Sequence, residues 1–378
     1  MSRGRPDAKL DVSLEGAMTD SQERVRTAIE AFRAGAIVLV TDDDDRENEG
    51  DLIVAASLCT PEKMAFIIRN TSGIVCAPLT AADARRLNLD PMVARNDAPL
   101  GTAFTVSIDA RHGVTTGISA EERTTTVRAL ANGNMGAGDF VRPGHIFPLI
   151  ARDGGVLMRS GHTEAAVDLC KLAGLPPVGV IGELMNDDGT VMRGEQIKAF
   201  ADQHGLKRLA VADLIAWRQR RDKLVRRLAE FPVETAYGRA TGISYWTPFD
   251  NVEHLALVFG DIGDGRDVLV RLHREHILRD VFGGDRSLDR ALERIAKLGR
   301  GVLIYLREGT AGVPHESLGG TEDSESARKR EEQWREIGLG AQILKDLGLV
   351  SIRLLASKSR TYVGLAGFDI EIVATELV

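Results

Sequence analysis

Ala36-Ile37-Val38-Leu39-Val40-Thr41-Asp42-Asp43-Asp44-Asp45-Arg46-Glu47-Asn48-Glu49-Gly50-Asp51-Leu52-Ile53-Val54-Ala55-Ala56 sets two apolar, β-prone runs around an acidic loop. Strands are predicted over Ala36–Val40 and Leu52–Ala56, both far too short to cross a bilayer. Between them, Thr41–Asp51 packs seven carboxylates into eleven residues, with one arginine and no lysine. A solvated acidic turn is one reading of such a run. Against it, a sheet would fix both ends of the loop, and Gly50 permits a tight backbone path. Carboxylates held this close repel and need a compensating partner. A hard divalent cation, Mg²⁺ or Mn²⁺, supplies one, because it takes oxygen ligands. Alternatively, one carboxyl takes up a proton and becomes a general acid or base.

Upstream of this stretch, Thr19-Asp20-Ser21 offers N-cap candidates for a helix over 21–34, closed by Gly35. Residues 1–20 read as a flexible tail. Met1–Gly16 is polar and lacks the apolar core of a secretory signal. Downstream, α and β patterns continue to about residue 215, with turns at Pro176-Pro177 and Asn186-Asp187-Asp188-Gly189. Val211–Leu228 reads as one helix, basic in its second part and ended by Phe231-Pro232. The second half has its own pattern. Strands are expected at Leu255–Phe259, Val268–Leu272, Val302–Leu306 and Ile352–Ala356, and helices at Leu288–Leu298 and Ser326–Leu347. Gly309–Ser326 reads as a loop. The expected fold class is therefore α+β or α/β: two mixed αβ domains, each with its own sheet, joined by a basic helix-linker. The boundaries are a tail at 1–20, a first domain at 21–217, a linker at 218–230 and a second domain at 231–378.

The 378 residues are 43% hydrophobic and 27% charged, with a net charge of −7. That balance suits a soluble globular protein and argues against a nucleic-acid or membrane-surface binder. Cys59, Cys76 and Cys170 are spaced for neither a disulfide framework nor a zinc ribbon. A cytoplasmic enzyme is expected.

A second candidate segment runs from Arg159 through Ser160, Gly161, His162, Thr163 and Glu164 to Gly174. It reads as a turn feeding a helix with Ala165, Leu169, Leu172 and Ala173 on one face. Free backbone N–H groups and the positive end of the helix dipole favour a phosphate there. His162 at the same mouth could ligate a metal. The plainer reading is a Thr163 N-cap with a bystander histidine.

Five motifs now stand in order: Asp44–Asp51, Ser72–Cys76, Arg142–Pro148, Gly161–Ala165 and Asn186–Thr190. Together, over residues 21–217, they resemble 3,4-dihydroxy-2-butanone 4-phosphate synthase, an enzyme of riboflavin biosynthesis. The resemblance implies conversion of D-ribulose 5-phosphate to L-3,4-dihydroxy-2-butanone 4-phosphate and formate. It implies metal binding by Glu47 and His162. Arg46, Asp51, Thr116, Arg159, Ser160, Gly161, His162, Thr163 and Glu183 would hold the sugar phosphate. His145, Glu183, Asp51 and Cys76 would form the catalytic set, with Glu183 and His145 acting as acid or base and Cys76 lining the pocket. Thr115–Ser119 and Arg123 match a further segment near the substrate. Cys76 taken alone reads equally well as a small buried hydrophobe. The family also implies a homodimer whose sites borrow residues from both subunits.

Residues 229–378 resemble GTP cyclohydrolase II, through Leu255–Ile262, Val270–Glu275, Gly299–Tyr305 and Gly338–Leu344. That family's zinc site uses three cysteines, and no cysteine follows Cys170. His276 stands where the first ligand belongs. The expectation is a domain without zinc and without cyclohydrolase activity. Its use would then be contact: stabilising the dimer, covering the synthase site, sensing a nucleotide or docking other riboflavin-pathway enzymes. The alternative is a bifunctional enzyme with a rebuilt second site, for which His273 and His276 with Asp280 or Asp285 are the available ligands.

Overall fold

The computed structural model of the chain describes residues 20–42, 48–98, 100–223, 225–247, 252–282, 286–307, 338–356 and 370–377. It contains two seven-stranded mixed sheets, one in each half. The first half runs α1 (Asp20–Arg33), β1 (Val38–Thr41), β2 (Gly50–Ala55), α2 (Pro61–Asn70), β3 (Cys76–Leu79), α3 (Ala81–Arg86), β4 (Ile108–Ala110) and α4 (Ala120–Leu130). It continues with β5 (Phe140–Ile150), α5 (His162–Leu172), β6 (Gly179–Glu183), α6 (Glu195–His204), β7 (Lys207–Ala210) and α7 (Val211–Arg221). The strand order is β4-β5-β3-β6-β2-β1-β7.

Helices cover both faces of this sheet, which is why its central strands read as unbroken apolar runs. Val25, Ala28, Ile29 and Phe32 fall on one face of α1 at helical spacing. They pack with Val38, Val40 and Ile53 and with Ala165 and Leu169 of α5. Leu39, Leu52 and Val54 point the other way, into a core with Met64, Ile67, Val127 and Leu130. Each large apolar side chain so buried contributes about 1.5–3 kcal/mol.

The acidic loop joins β1 to β2 as an antiparallel hairpin, with Thr41 opposite Gly50. Its ends are pinned: Asp42 Oδ1 accepts from the Glu49 amide at 2.9 Å. Asp43–Glu47, and with them Arg46 and Glu47, lie outside the described residues.

The second half adds β8 (Arg226–Thr235), β9 (Gly238–Trp246), β10 (His254–Phe259), β11 (Val268–Arg274), α8 (Ile277–Phe282), α9 (Ser287–Leu298), β12 (Gly301–Leu306), β13 (Ser351–Ala356) and β14 (Glu371–Leu377). A further helix, α10, occupies 338–346. The strand order is β14-β13-β11-β12-β10-β9-β8. The four expected strands are present. β8, β9 and β14 were not foreseen, and Gly309–Ser326 and Asp285 lie outside the described residues.

The helix expected over Val211–Leu228 is shorter than that. The helix ends at Arg221, and a strand begins at Arg226. Arg218, Arg220 and Arg221 occupy the last turn of α7, where cations meet the negative end of the dipole. Arg226 and Arg227 instead sit on an edge strand, a usual place for charge. Pro232 lies inside β8, where the edge tolerates its missing N–H. Among the described residues no helix is long and apolar enough to cross a membrane.

Candidate active site

A cavity of about 260 Å³ opens at the ends of β2, β3 and β6 beside the start of α5. Its walls include Glu49, Asp51, Ser72, Cys76, Arg159, His162, Thr163 and Glu183. Asp51 and Glu183 pair across antiparallel β2 and β6. Paired residues point to the same face of a sheet, so both carboxylates enter the cavity. Cys76, on β3, pairs with Ile181 and supplies the wall beside them. Burial, reinforced by the Asp51 and Glu183 carboxylates, pushes the Cys76 thiol up to about 12. Burial thus favours the protonated thiol, which fits a lining residue.

His162 is the first residue of α5, and Gly161, in extended backbone, is the N-cap. Thr163 is already inside the helix, so the Thr163 N-cap reading is set aside. Gly161 brings no side chain to cap this N-terminus. Its amides and the dipole face the cavity mouth, as an anion site requires. A Cβ on Gly161 would stand 2.6 Å from Arg159 Nη1. Glycine there lets the Arg159–Glu164 ion pair, 2.8 Å long, lie across the turn. Glu164 is buried, which raises its carboxyl despite the guanidinium, and its other oxygen accepts from the Arg152 amide. Arg159 is thus held over the cavity by a fixed partner. Ser160 sits in the same turn, between Arg159 and Gly161.

The imidazole of His162 is buried, with Nδ1 3.8 Å from Asp51 Oδ1. Its Nε2 has no hydrogen-bond partner among the described residues. A buried, unpartnered ring nitrogen beside carboxylates is the donor a divalent cation would use. No three His, Cys, Asp or Glu side chains among the described residues form a ready metal cage.

His145 and Thr116 do not line this cavity. His145, on β5, is half exposed, and its Nδ1 lies 2.8 Å from Asp109 Oδ2. The other Asp109 oxygen accepts from the His145 amide at 2.9 Å. Thr116 is exposed, with its hydroxyl 3.5 Å from Glu122 Oε2. Arg123 is buried and donates to the Gly73 carbonyl, next to cavity-lining Ser72 and Ile74. Asp109 was not anticipated. The available signal was an acidic residue between Ile108 and Ala110 on a strand buried at every position.

A fold and a site of this kind have named counterparts. The family model for 3,4-dihydroxy-2-butanone 4-phosphate synthase matches residues 26–217, and the chain belongs to that family. The model for GTP cyclohydrolase II matches residues 226–376. Riboflavin biosynthesis protein RibBA of Nocardia farcinica is 49% identical, the match covering 93% of this chain and 89% of that one. The bifunctional riboflavin biosynthesis protein RIBA 1, chloroplastic, of Arabidopsis thaliana is 45% identical over 97% of this chain and 70% of that one. Among solved structures, RibBX of A. baumannii, described as a two domain 3,4-dihydroxy-2-butanone 4-phosphate synthase, superposes with a TM-score of 0.79. It is 37% identical and covers 94% of this chain and 99% of that one. A 3,4-dihydroxy-2-butanone 4-phosphate synthase in complex with two magnesium ions is 47% identical, over 51% of this chain and 94% of that one, with a TM-score of 0.50.

Proposed function

We propose that the first domain is a 3,4-dihydroxy-2-butanone 4-phosphate synthase acting in riboflavin biosynthesis on ribulose 5-phosphate. The observation that carries this reading is one cavity shared by the Asp51–Glu183 carboxylate pair, His162 and the glycine-capped start of α5. The turn, with Arg159, Ser160 and Thr163, holds the phosphate by its amides, hydroxyls and guanidinium. The carboxylates then face the sugar carbons. Glu183 and Asp51 move protons to and from carbon and oxygen as the sugar enolises, loses water and rearranges. A water is taken up again as formate leaves, so the five-carbon sugar phosphate divides into a four-carbon product and formate with no outside oxidant, and no organic cofactor enters. His162, and Glu47 by family resemblance, would hold Mg²⁺ or Mn²⁺. A cation there supplies Lewis acidity to negative charge developing on the sugar oxygens. Formate release from ribulose 5-phosphate by the pure protein with Mg²⁺ tests the reading, and no formate would sink it.

His145 and Thr116 lie outside the cavity of their own chain. The reading is completed by a second copy that brings them in, making the working unit a homodimer. Ile74 and Ile118, both exposed apolar side chains, suit such a contact.

For the second domain, the cyclohydrolase model and a relative named bifunctional favour the rebuilt-site alternative over loss of activity. Any rebuilt site has to work without thiolates, because residues 226–376 contain no cysteine. His273, Asp280 and Tyr305 meet at the carboxyl ends of β11 and β12, with Asp280 3.0 Å from His273 Nε2 and 2.7 Å from the Tyr305 hydroxyl. That cluster is where the second chemistry would be built. A cytoplasmic location belongs to the same reading.

A further inference from the structure

The turn that carries Arg159 is built on Gly155. The amides of Met158 and Arg159 both donate to the Gly155 carbonyl, at 2.9 and 3.1 Å. A Cβ on Gly155 would sit 2.1 Å from Asp168 Oδ1, so the carboxylate of α5 abuts the backbone directly. Asp168 Oδ2 accepts from the Val156 amide at 2.8 Å and from Arg218 Nη1 at 2.7 Å. Arg218 Nη1 also donates to the Gly154 carbonyl at 2.6 Å. Its other edge grips Asp222 at 2.9 and 2.6 Å. The backbone carbonyls of Gln219 and Asp222 in turn accept from Gln342 Nε2 at 2.9 and 2.7 Å. Gln342 belongs to α10, in the second domain. Leu157, two residues before Arg159, packs against the core of the first domain and the core of the second.

We infer that Leu157, Arg218 and Gln342 are positioning residues for the synthase reaction, through which the second domain sets the anion-binding turn at Arg159–Thr163. The inference rests on the reading of that turn as the phosphate cradle. None of the three lines the cavity, so none touches substrate. Their effect passes through the backbone at 154–159. A buried ion pair such as Asp168–Arg218 is weak evidence for stability, since its desolvation offsets much of its attraction. What it does supply is a fixed direction for the Gly154 carbonyl and the Val156 amide. A turn held this way presents its amides in one geometry before substrate arrives, which is worth affinity rather than rate.

The test uses the full chain and two readouts: steady-state kinetics with ribulose 5-phosphate, and calorimetric binding of inorganic phosphate. Gln342→Leu, Leu157→Ala and Arg218→Met are compared with Arg159→Met and wild type. Gln342→Leu keeps an apolar side chain of similar size beside core residues Ala341 and Ile343, and reports even if Arg218→Met fails to fold. The expected result is a KM raised about three- to ten-fold, with phosphate binding weakened in parallel and kcat held within about twofold. Arg218→Lys should restore part of the loss. Weakened binding in Arg159→Met with wild-type KM in Gln342→Leu and Leu157→Ala overturns the inference and leaves the cradle standing. Unchanged phosphate binding in Arg159→Met overturns both. A loss confined to kcat also overturns it.

Discussion

Asp51 and Glu183 stand directly opposite one another on neighbouring antiparallel strands, both opening into the same cavity. Opposed positions bring Cβ atoms to about 4.5–5.5 Å. Both carboxylates open beside the His162 imidazole, whose Nδ1 lies 3.8 Å from Asp51 Oδ1. Glu183→Gln and Asp51→Asn should each lower kcat by about 10²- to 10⁴-fold, the range for a lost general acid or base. Both variants should stay folded, read from their melting temperatures. Either variant keeping a tenth of wild-type kcat would remove that residue from the chemistry.

A chelator should abolish formate release, and Mg²⁺ or Mn²⁺ should restore it. His162→Ala should lose Mn²⁺ binding, read by calorimetry without substrate, while the chain stays folded. Full turnover in EDTA, or wild-type Mn²⁺ affinity in His162→Ala, contradicts the role given to the buried Nε2.

All three thiols are buried and pushed upward, Cys59 to about 11 and Cys76 and Cys170 to about 12. Burial is the first cause in each. They should resist iodoacetamide at pH 8 in the folded chain. The sign of the stability effect follows. Below about pH 9 folded and unfolded chains both carry the proton, and nothing is lost. Above it the unfolded thiols ionise first, so stability falls by up to about 1.4 kcal/mol per thiol per pH unit until the folded values are reached. Urea unfolding at pH 8 and pH 10 measures this. A curve flat across that interval would show the thiols to be less buried than described.

If His145 serves the cavity of a second copy, mixing two inactive variants should restore activity. In a hybrid of His145→Ala with Glu183→Gln, one of the two sites receives both native residues. Random mixing should recover about a quarter of wild-type activity. Zero recovery despite subunit exchange places His145 elsewhere. Asp109→Asn should mimic a weaker form of His145→Ala, because Asp109 fixes the imidazole from both its Nδ1 and its backbone amide.

The second domain should release formate from GTP if its site has been rebuilt, and that release should survive without one zinc per chain. Elemental analysis and a GTP assay on the same preparation separate the outcomes. No turnover of GTP favours a domain kept for contact. Turnover with stoichiometric zinc would require a ligand set drawn from His, Asp and Glu alone.

Periodic patterns carried most of the fold. The apolar face of α1 and the runs in β1, β2, β10 and β12 are legible because burial on sheet faces enforces them. β8 was illegible for the opposite reason. Nearly all of it is exposed, so Arg226 and Arg227 sit there without penalty and imitate a basic helix. In the candidate site, Asp51 was legible in the acidic loop and Arg159 and His162 in the turn before a helix, while Glu183 came only with the family resemblance; the cavity collects all four. Asp109 was not readable, because its partner His145 is 36 residues away and only the β4–β5 pairing brings them together. Arg218 shows the same limit: its partner on α5 is set by helix packing, which no local spacing encodes.

Only residues 222–225 separate α7 from β8. Four residues reach at most about 14 Å when fully extended, and here Leu157 and Gln342 already tie the halves together. The two halves therefore cannot diffuse rotationally as separate particles. A fluorophore attached to either one should show an anisotropy decay governed by the hydrodynamic volume of the entire assembly, with no faster component from a swinging domain.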